Sequence, residues 1–177
     1  MNLHRRNWAI AAGVGVAASA AGLAWSVWHE SGGGTEPGAE KELWSSSFEA
    51  PDGKRLAFAD LRGAPLVLNF WATWCPPCLR EMPALDRFAR DFASRGWRVV
   101  GLAADNAGPV RAYLAGTPVS YAVALTGFAG IDLSRRLGNS SGGLPFTVIF
   151  DRQGRLLQRR IGETSYEQLA GWARGIG

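Results

Sequence analysis

Two cysteines, Cys75 and Cys78, enclose two prolines directly after the apolar run 66–71 and directly before a helical pattern. If Pro77 lies in the first turn of that helix, where its missing N–H costs nothing, Cys75 occupies the helix N-terminus beside free backbone N–H groups. The positive end of the helix dipole stabilises a thiolate there, so we expect Cys75 to be a low-pKa nucleophile. Cys78 lies one turn inside on the same face, where the pair can close a small disulfide ring. The motif therefore predicts redox chemistry.

Two other interpretations of the cysteine pair fit the sequence less well. A closed structural zinc site needs four ligands, and the chain offers only these two cysteines and the two histidines His4 and His29, which flank an N-terminal apolar segment. A purely structural disulfide is disfavoured because so short a loop removes little conformational entropy from the unfolded chain. We therefore predict a redox disulfide between Cys75 and Cys78, with no metal and no other cofactor.

Composition indicates one ordinary globular domain with an additional apolar segment. The chain has 177 residues, of which 47% are hydrophobic and 19% charged, enough for a single domain with a substantial core. The formal net charge is +4, but the arginines are scattered and form no basic run interleaved with aromatic residues. This pattern does not favour nucleic-acid binding.

The N-terminal region predicts a membrane segment. His4-Arg5-Arg6 precedes the uncharged stretch 7–28, which at about 22 residues is long enough to cross a bilayer. Basic residues before the stretch and acidic residues after it place the N-terminus in the cytoplasm and the remaining chain outside. We favour an uncleaved anchor that spans residues 1–30, because the apolar stretch continues past Ala18-Ser19-Ala20, the small residues that a signal peptidase could cleave. The alternative is a cleaved signal peptide and a soluble periplasmic protein.

The remaining chain is predicted to be a flexible linker followed by one α/β domain. Residues 31–42 are rich in glycine and are assigned to the linker, and residues 43–177 to the domain. The hydrophobic patterns predict a hairpin, then alternating strands and helices, then a second hairpin and a closing helix. Such an order implies a mixed central sheet with helices on both faces. The predicted strands are 47–49, 55–58, 64–70, 98–104, 121–125, 146–150 and 156–161, and the predicted helices follow Cys75 and cover 109–115, 131–137 and 165–173.

Several short motifs together resemble the TlpA/ResA-like branch of the thioredoxin superfamily. The resemblance covers about residues 47–175. It implies a thioredoxin fold with an N-terminal β-hairpin and a central insertion around 109–121, preceded by one transmembrane helix. The motifs are Asp52-Gly53-Lys54, Asp60-Leu61-Arg62-Gly63, Leu68-Asn69-Phe70-Trp71-Ala72-Thr73-Trp74-Cys75-Pro76-Pro77-Cys78, Glu81-Met82-Pro83 and Gly143-Leu144-Pro145-Phe146-Thr147.

The resemblance also implies roles for individual residues. Cys75 resembles the attacking cysteine and Cys78 the resolving cysteine, while Pro145 resembles a cis-proline that packs opposite the disulfide. Thioredoxin carries a buried aspartate where Asn69 stands, so we expect Glu81, one turn beyond Cys78, to accept the Cys78 proton with a pKa raised by partial burial. The alternative for Glu81 is an exposed glutamate favoured by the helix dipole. The predicted substrate-binding residues are Trp74, Pro76, Pro77, Leu144 and Pro145.

The resemblance implies a membrane-tethered thiol:disulfide oxidoreductase on the periplasmic side of the bacterial inner membrane. We expect a reductant, because the Pro76-Pro77 pair offers no histidine between the cysteines to stabilise the thiolate further. The expected partners are disulfide-containing envelope proteins, such as apocytochrome c or copper-site proteins, and a transmembrane thiol electron donor.

Two alternative functions use the same cysteines. A Cu(I)-binding chaperone would hold the metal on both thiolates, but no methionine or histidine stands beside the motif. A peroxiredoxin-like peroxidase would need a single attacking cysteine, whereas a pair within one helical turn is typical of disulfide exchange.

Overall fold

The computed structural model describes residues 34–176. The predicted membrane anchor, residues 1–30, lies outside the described residues. Within residues 34–176, no helix has both the length and the apolar character that a bilayer crossing requires.

Apart from the first helix, the helices and strands of the described chain follow one another in the predicted order. The α-helices are α1 (Ala39–Ser45), α2 (Pro76–Phe92), α3 (Ala107–Gly116), α4 (Ala129–Arg136) and α5 (Tyr166–Ile176), and short 3₁₀-helices cover Phe58–Leu61 and Ala93–Arg95. The strands are β1 (Ser47–Glu49), β2 (Arg55–Ala57), β3 (Leu66–Trp71), β4 (Arg98–Ala103), β5 (Ala122–Leu125), β6 (Phe146–Phe150) and β7 (Leu156–Ile161). Each predicted strand is confirmed to within two residues at either end.

The strands of the described residues form one seven-stranded mixed sheet in the order β2-β1-β5-β4-β3-β6-β7. Strands β3, β4 and β5 run parallel, while β6 and β7 and the β1–β2 hairpin are antiparallel additions. Successive side chains of a strand point to opposite faces, and β3 supplies both faces of the core. Val67 and Trp71 pack in the apolar cluster that includes α2 and α5, whereas Leu68 and Phe70 pack in the cluster that includes α1 and α4. The predicted mixed sheet flanked by helices is confirmed.

Helix α1 begins within the segment that we predicted to be a flexible linker. Residues 31–42 were predicted to be flexible, but α1 begins at Ala39 and buries Ala39, Leu43 and Trp44. The Trp44 indole N–H donates to the Gly154 carbonyl at 2.8 Å, which ties the helix to the turn between β6 and β7. A helix of seven residues contributes too few apolar positions to show a clear period, which is why the pattern missed it.

The topology brings the ends of several strands to one edge of the sheet. Parallel β3, β4 and β5 all end at this edge, and β6, antiparallel to β3, begins there. Carboxyl ends of parallel strands are where α/β folds place their binding groups. The loops at this edge contain residues 72–75, 104–106, 126–128 and 142–145.

Candidate active site

The cysteine pair lies at the start of α2, as predicted. Cys75 is the N-cap residue, prolines occupy the first helical positions, and the Cys78 backbone N–H donates to Cys75 Sγ at 3.3 Å. Cys75 and Cys78 form a disulfide. Cys75 is 5% exposed and Cys78 is fully buried, so Cys75 is the sulfur nearer to solvent. An attacking thiolate at Cys75 would receive the dipole and N–H stabilisation of the helix N-terminus.

Asp105, which the sequence analysis did not single out, anchors the loop that leads into Cys75. Its Oδ2 accepts hydrogen bonds from both the backbone N–H and the hydroxyl of Thr73, at 2.9 and 2.5 Å, and its Oδ1 accepts from the Asn106 N–H at 2.7 Å. Burial raises the pKa of Asp105, but the hydrogen bonds from Thr73 and Asn106 outweigh it, so the pKa lies below its ordinary value. A charged acceptor at the end of β4 therefore fixes the loop that follows β3.

We expect Asp105→Ala to lower the free energy of unfolding by about 2–3 kcal/mol, because the Thr73 N–H and hydroxyl both lose a charged acceptor. Thr73→Val removes only the hydroxyl and keeps the backbone bond, so it should cost less, about 1 kcal/mol. Urea unfolding of the two oxidised variants measures the difference. Equal losses in both variants would contradict the anchoring role of the carboxylate.

Glu81 lies on α2, one turn after Cys78, and is buried in a polar network. Glu81 is 3% exposed. Its Oε1 accepts from Asn69 Nδ2 at 2.6 Å, and its Oε2 accepts from the Thr164 backbone N–H at 2.7 Å. The Thr147 hydroxyl accepts a second bond from Asn69 Nδ2 at 3.0 Å. The alternative of an exposed first-turn glutamate is thereby excluded, and Glu81 lies three residues after Cys78 on the same side of α2.

Burial raises the pKa of Glu81 to about 7, against the lowering effect of the hydrogen bonds from Thr164 and Asn69. A carboxyl group with this pKa exchanges its proton near neutral pH, as a general acid–base requires. Asn69 Oδ1 is buried and has no hydrogen-bond partner among residues 34–176. A half-turn of the Asn69 amide would bring Oδ1 to Glu81, where it can accept the proton of the neutral acid.

The polar partners of Glu81 come from three separate parts of the chain. Asn69 belongs to β3, Thr147 is its antiparallel partner on β6, and Thr164 lies in the loop between β7 and α5. Sequence reasoning missed Thr147 and Thr164 as functional candidates. Thr147 stands inside the Gly143–Thr147 motif, so that motif contained its signal, whereas Thr164 has no local pattern that marks it.

The peptide bond between Leu144 and Pro145 is cis, as the family resemblance implied. Pro145 is buried and directly precedes β6, whose first residue pairs with Phe70 at the end of β3 next to the cysteine loop. Leu144 is half-buried and Trp74 is 53% exposed. Pro76 is exposed and Pro77 half-buried. The predicted substrate-binding residues therefore lie at one edge of the sheet, with Trp74 and Pro76 open to a partner.

Comparisons with known proteins agree with this geometry. The family model described as Redoxin matches residues 39–170. The thiol-disulfide oxidoreductase ResA of Bacillus cereus is 31% identical over 147 residues, covering 78% of this chain and 82% of that protein. ResA of Bacillus thuringiensis is 30% identical over 148 residues, with the same coverage of 78% and 82%.

Solved structures show the same fold. A thiol:disulfide interchange protein of the thioredoxin family from Chlorobium tepidum superposes with a TM-score of 0.64 at 28% identity, covering 75% of this chain and 92% of that one. A DsbF homologue from Corynebacterium diphtheriae superposes with a TM-score of 0.66 at 20% identity, covering 75% and 85%. The second likeness shows the fold alone. The α/β architecture described above is thioredoxin-like.

Proposed function

From the premise that this chain belongs to the redoxin family and is a thiol-disulfide oxidoreductase of the ResA type, we propose that it reduces disulfides in proteins of the bacterial envelope. The observation that carries the proposal is the position of Cys75 at the helix N-terminus, with Cys78 and the carboxyl group of Glu81 buried behind it. The relatives are named thiol-disulfide oxidoreductases, and these names specify no substrate. The substrate class is therefore our own inference.

The proposed reaction transfers two electrons from the cysteine pair to a substrate disulfide. The Cys75 thiolate attacks one substrate sulfur, forms a mixed disulfide and releases the other substrate sulfur as a thiolate. Glu81 in its ionised form accepts the proton of the Cys78 thiol, and the Cys78 thiolate then attacks the Cys75 sulfur. This second step releases the remaining substrate thiolate and leaves the Cys75–Cys78 disulfide. The two substrate thiolates take up protons, one from Glu81 or solvent and one from solvent.

The proposed direction follows from the residues between the cysteines. Strong oxidants of this superfamily owe their potential to a greatly stabilised thiolate in the reduced form. Pro76 and Pro77 carry neither a charge nor a hydrogen-bonding side chain, so they add nothing to the helix dipole at Cys75. A moderately stabilised thiolate supports reduction of the substrate over its oxidation.

A protein that reduces disulfides outside the cytoplasm must have its own Cys75–Cys78 disulfide reduced again after each turnover. We propose that a transmembrane thiol donor reduces the Cys75–Cys78 disulfide, and that residues 1–30 tether the domain to the inner membrane on the periplasmic side. Apocytochrome c and copper-site proteins are suitable substrates, because their cysteines must be reduced before cofactor or metal insertion.

We expect a reduction potential well below that of the strong oxidants, at about −200 mV or lower. Equilibrating the full-length protein with glutathione redox buffers of known potential and trapping the thiols measures it. The same preparation should reduce a disulfide-linked peptide with dithiothreitol as the electron source. A potential above about −150 mV would reverse the proposed direction.

A further inference from the structure

The loop between β7 and α5 contacts the buried carboxyl group of Glu81. Gly162 begins this loop, and its N–H donates to the Pro145 carbonyl at 2.8 Å. Two residues later, the Thr164 N–H donates to Glu81 Oε2 at 2.7 Å. Thr164 is 2% exposed, so this bond is shielded from water. The loop therefore joins the cis-proline to the proposed acid–base group.

Glu163, which stands between these two contacts, is held by two other elements of the structure. Its carboxylate forms an ion pair with Arg80 of α2, and its carbonyl accepts from Arg160 Nε of β7 at 3.0 Å. The Glu163 carbonyl and the Thr164 N–H belong to one peptide group. Arg160 therefore binds one side of the peptide whose other side binds Glu81.

Glu81 and Glu163 line the same cleft. The cleft has a volume of about 510 Å³ and lies between α2 and the segment 163–168, with Arg80 and Thr164 also in its lining. In the proposed reaction Glu81 takes a proton from Cys78, which is fully buried, and must then pass it to solvent. The cleft provides that route, and the ion pair between Arg80 and Glu163 crosses it.

The charged neighbours of Glu81 have opposite effects on it. Burial is the main cause of its raised pKa, and the charge of Glu163 raises this pKa further while the charge of Arg160 lowers it. A like charge disfavours an ionised carboxyl group and an opposite charge favours it. Arg80 is paired with Glu163, and Tyr121 stays neutral because burial raises its pKa. The groups that β3 and β6 contribute to this network are an uncharged amide and a hydroxyl.

We infer that Glu163 and Arg160 are positioning residues for the acid–base group: they hold the peptide N–H that contacts Glu81, and the balance of their two charges sets the pH at which Glu81 exchanges its proton. The inference rests on the proposed function and deepens it. Both residues act through Glu81, which remains the group that takes the proton from the thiol.

The test follows the Glu81 carboxyl group by NMR titration of isotope-labelled glutamate side chains in the oxidised full-length protein, with Glu81→Gln identifying the Glu81 signal. Glu163→Gln keeps an acceptor for Arg80 but loses the negative charge, so the titration of Glu81 should move to lower pH. Arg160→Gln keeps a donor for the Glu163 carbonyl but loses the positive charge, so the titration should move to higher pH. A merely structural role of the two residues does not predict opposite shifts.

The rate at which a preformed mixed disulfide at Cys75 is resolved should follow the same shifts. At a pH below the wild-type midpoint, we expect resolution to be faster in Glu163→Gln and slower in Arg160→Gln, each by about two- to fivefold, the range expected for exposed charges. Glu167→Gln is the matched control, because Glu167 lines the same cleft but belongs to α5. It should leave both the titration and the rate unchanged.

Three results of the titration would overturn the inference and leave the proposed function standing. They are no shift in Glu163→Gln and Arg160→Gln, shifts of both variants in the same direction, and a shift in Glu167→Gln equal to that in Glu163→Gln. Failure of the wild type to reduce a disulfide-linked peptide would instead overturn the proposed function, because the titration needs no substrate.

Discussion

Replacing Cys78 by serine is expected to convert the protein into a trap that accumulates mixed disulfides through Cys75. Cys75 keeps its place at the start of α2, while the buried sulfur that would release the substrate is gone. The mixed disulfide then persists until an external thiol attacks it. Cys75→Ser should instead abolish exchange, with a loss on the order of a thousandfold or more, because the remaining thiol is fully buried.

Capture is measured by incubating the reduced variants with envelope extracts, followed by non-reducing electrophoresis and identification of the bound proteins. The Cys75→Ser variant is the matched control, since it also retains a single cysteine at the same motif. Adducts of equal abundance in both variants would show that capture does not depend on the position of Cys75. Adducts confined to Cys75→Ser would reverse the assignment of attacking and resolving roles.

Replacing Glu81 by glutamine is expected to remove a pH dependence from both stability and catalysis. Burial raises the pKa of Glu81 from its ordinary value of 4.5 to about 7, so the folded protein binds a proton that the unfolded chain has released between these values. The free energy of unfolding should therefore fall as pH rises from about 4.5 to about 7, by about 3 kcal/mol, and should then level off. Glu81→Gln should show no such fall.

The structure offers glutamine a compatible site. The Thr164 N–H can still donate to the glutamine carbonyl, and the unpaired Oδ1 of Asn69 can accept from its amide after a half-turn of the Asn69 side chain. Urea unfolding of the oxidised protein at about pH 5 and about pH 8 measures the stability difference. Asp132→Asn, which removes a carboxylate from an exposed position on α4, should keep the wild-type dependence. A wild-type protein whose stability is the same at both pH values would contradict the raised pKa.

The same substitution tests the proposed role of Glu81 in resolution. Ionised Glu81 accepts the Cys78 proton, so release of the mixed disulfide should accelerate as pH rises through about 7 in the wild type. In Glu81→Gln the rate should be lower and should follow only the titration of the Cys78 thiol. Stopped-flow decay of a preformed mixed disulfide gives the rate. Identical pH profiles in the two proteins would show that Glu81 is not the acceptor.

Much of the fold was predictable because its signals are local. The run at β3 is apolar at nearly every position, which a strand buried on both faces requires, and β6 is a similar run that the turn residues 151–154 separate from β7. Helix α1 was not predictable in this way. Its burial depends on Trp44 reaching Gly154, a contact between residues far apart in the chain.

Within the active site, too, local features were predictable from the sequence and long-range contacts were not. The spacing of the cysteines and the two prolines between them were enough to place Cys75 at a helix N-terminus and Cys78 one turn inside, because these are properties of a single helical turn. The role of Asp105 was not visible, since its bonds to Thr73 join the ends of two neighbouring strands. A carboxylate in a loop has no sequence pattern that distinguishes an anchor from an exposed charge.

The sequence by itself determined that the chain carries a redox cysteine pair at a strand-to-helix junction within an α/β domain. Only the tertiary structure decided how Glu81 is buried, which groups hold it, and which side chains share the edge with Cys75. The reason is physical: nucleophile placement at a helix end depends on neighbouring residues, whereas desolvation and hydrogen bonding of a carboxyl group depend on every element packed around it. Asn69 and Thr164 acquire their significance from strand register and loop position, which form only when the sheet assembles.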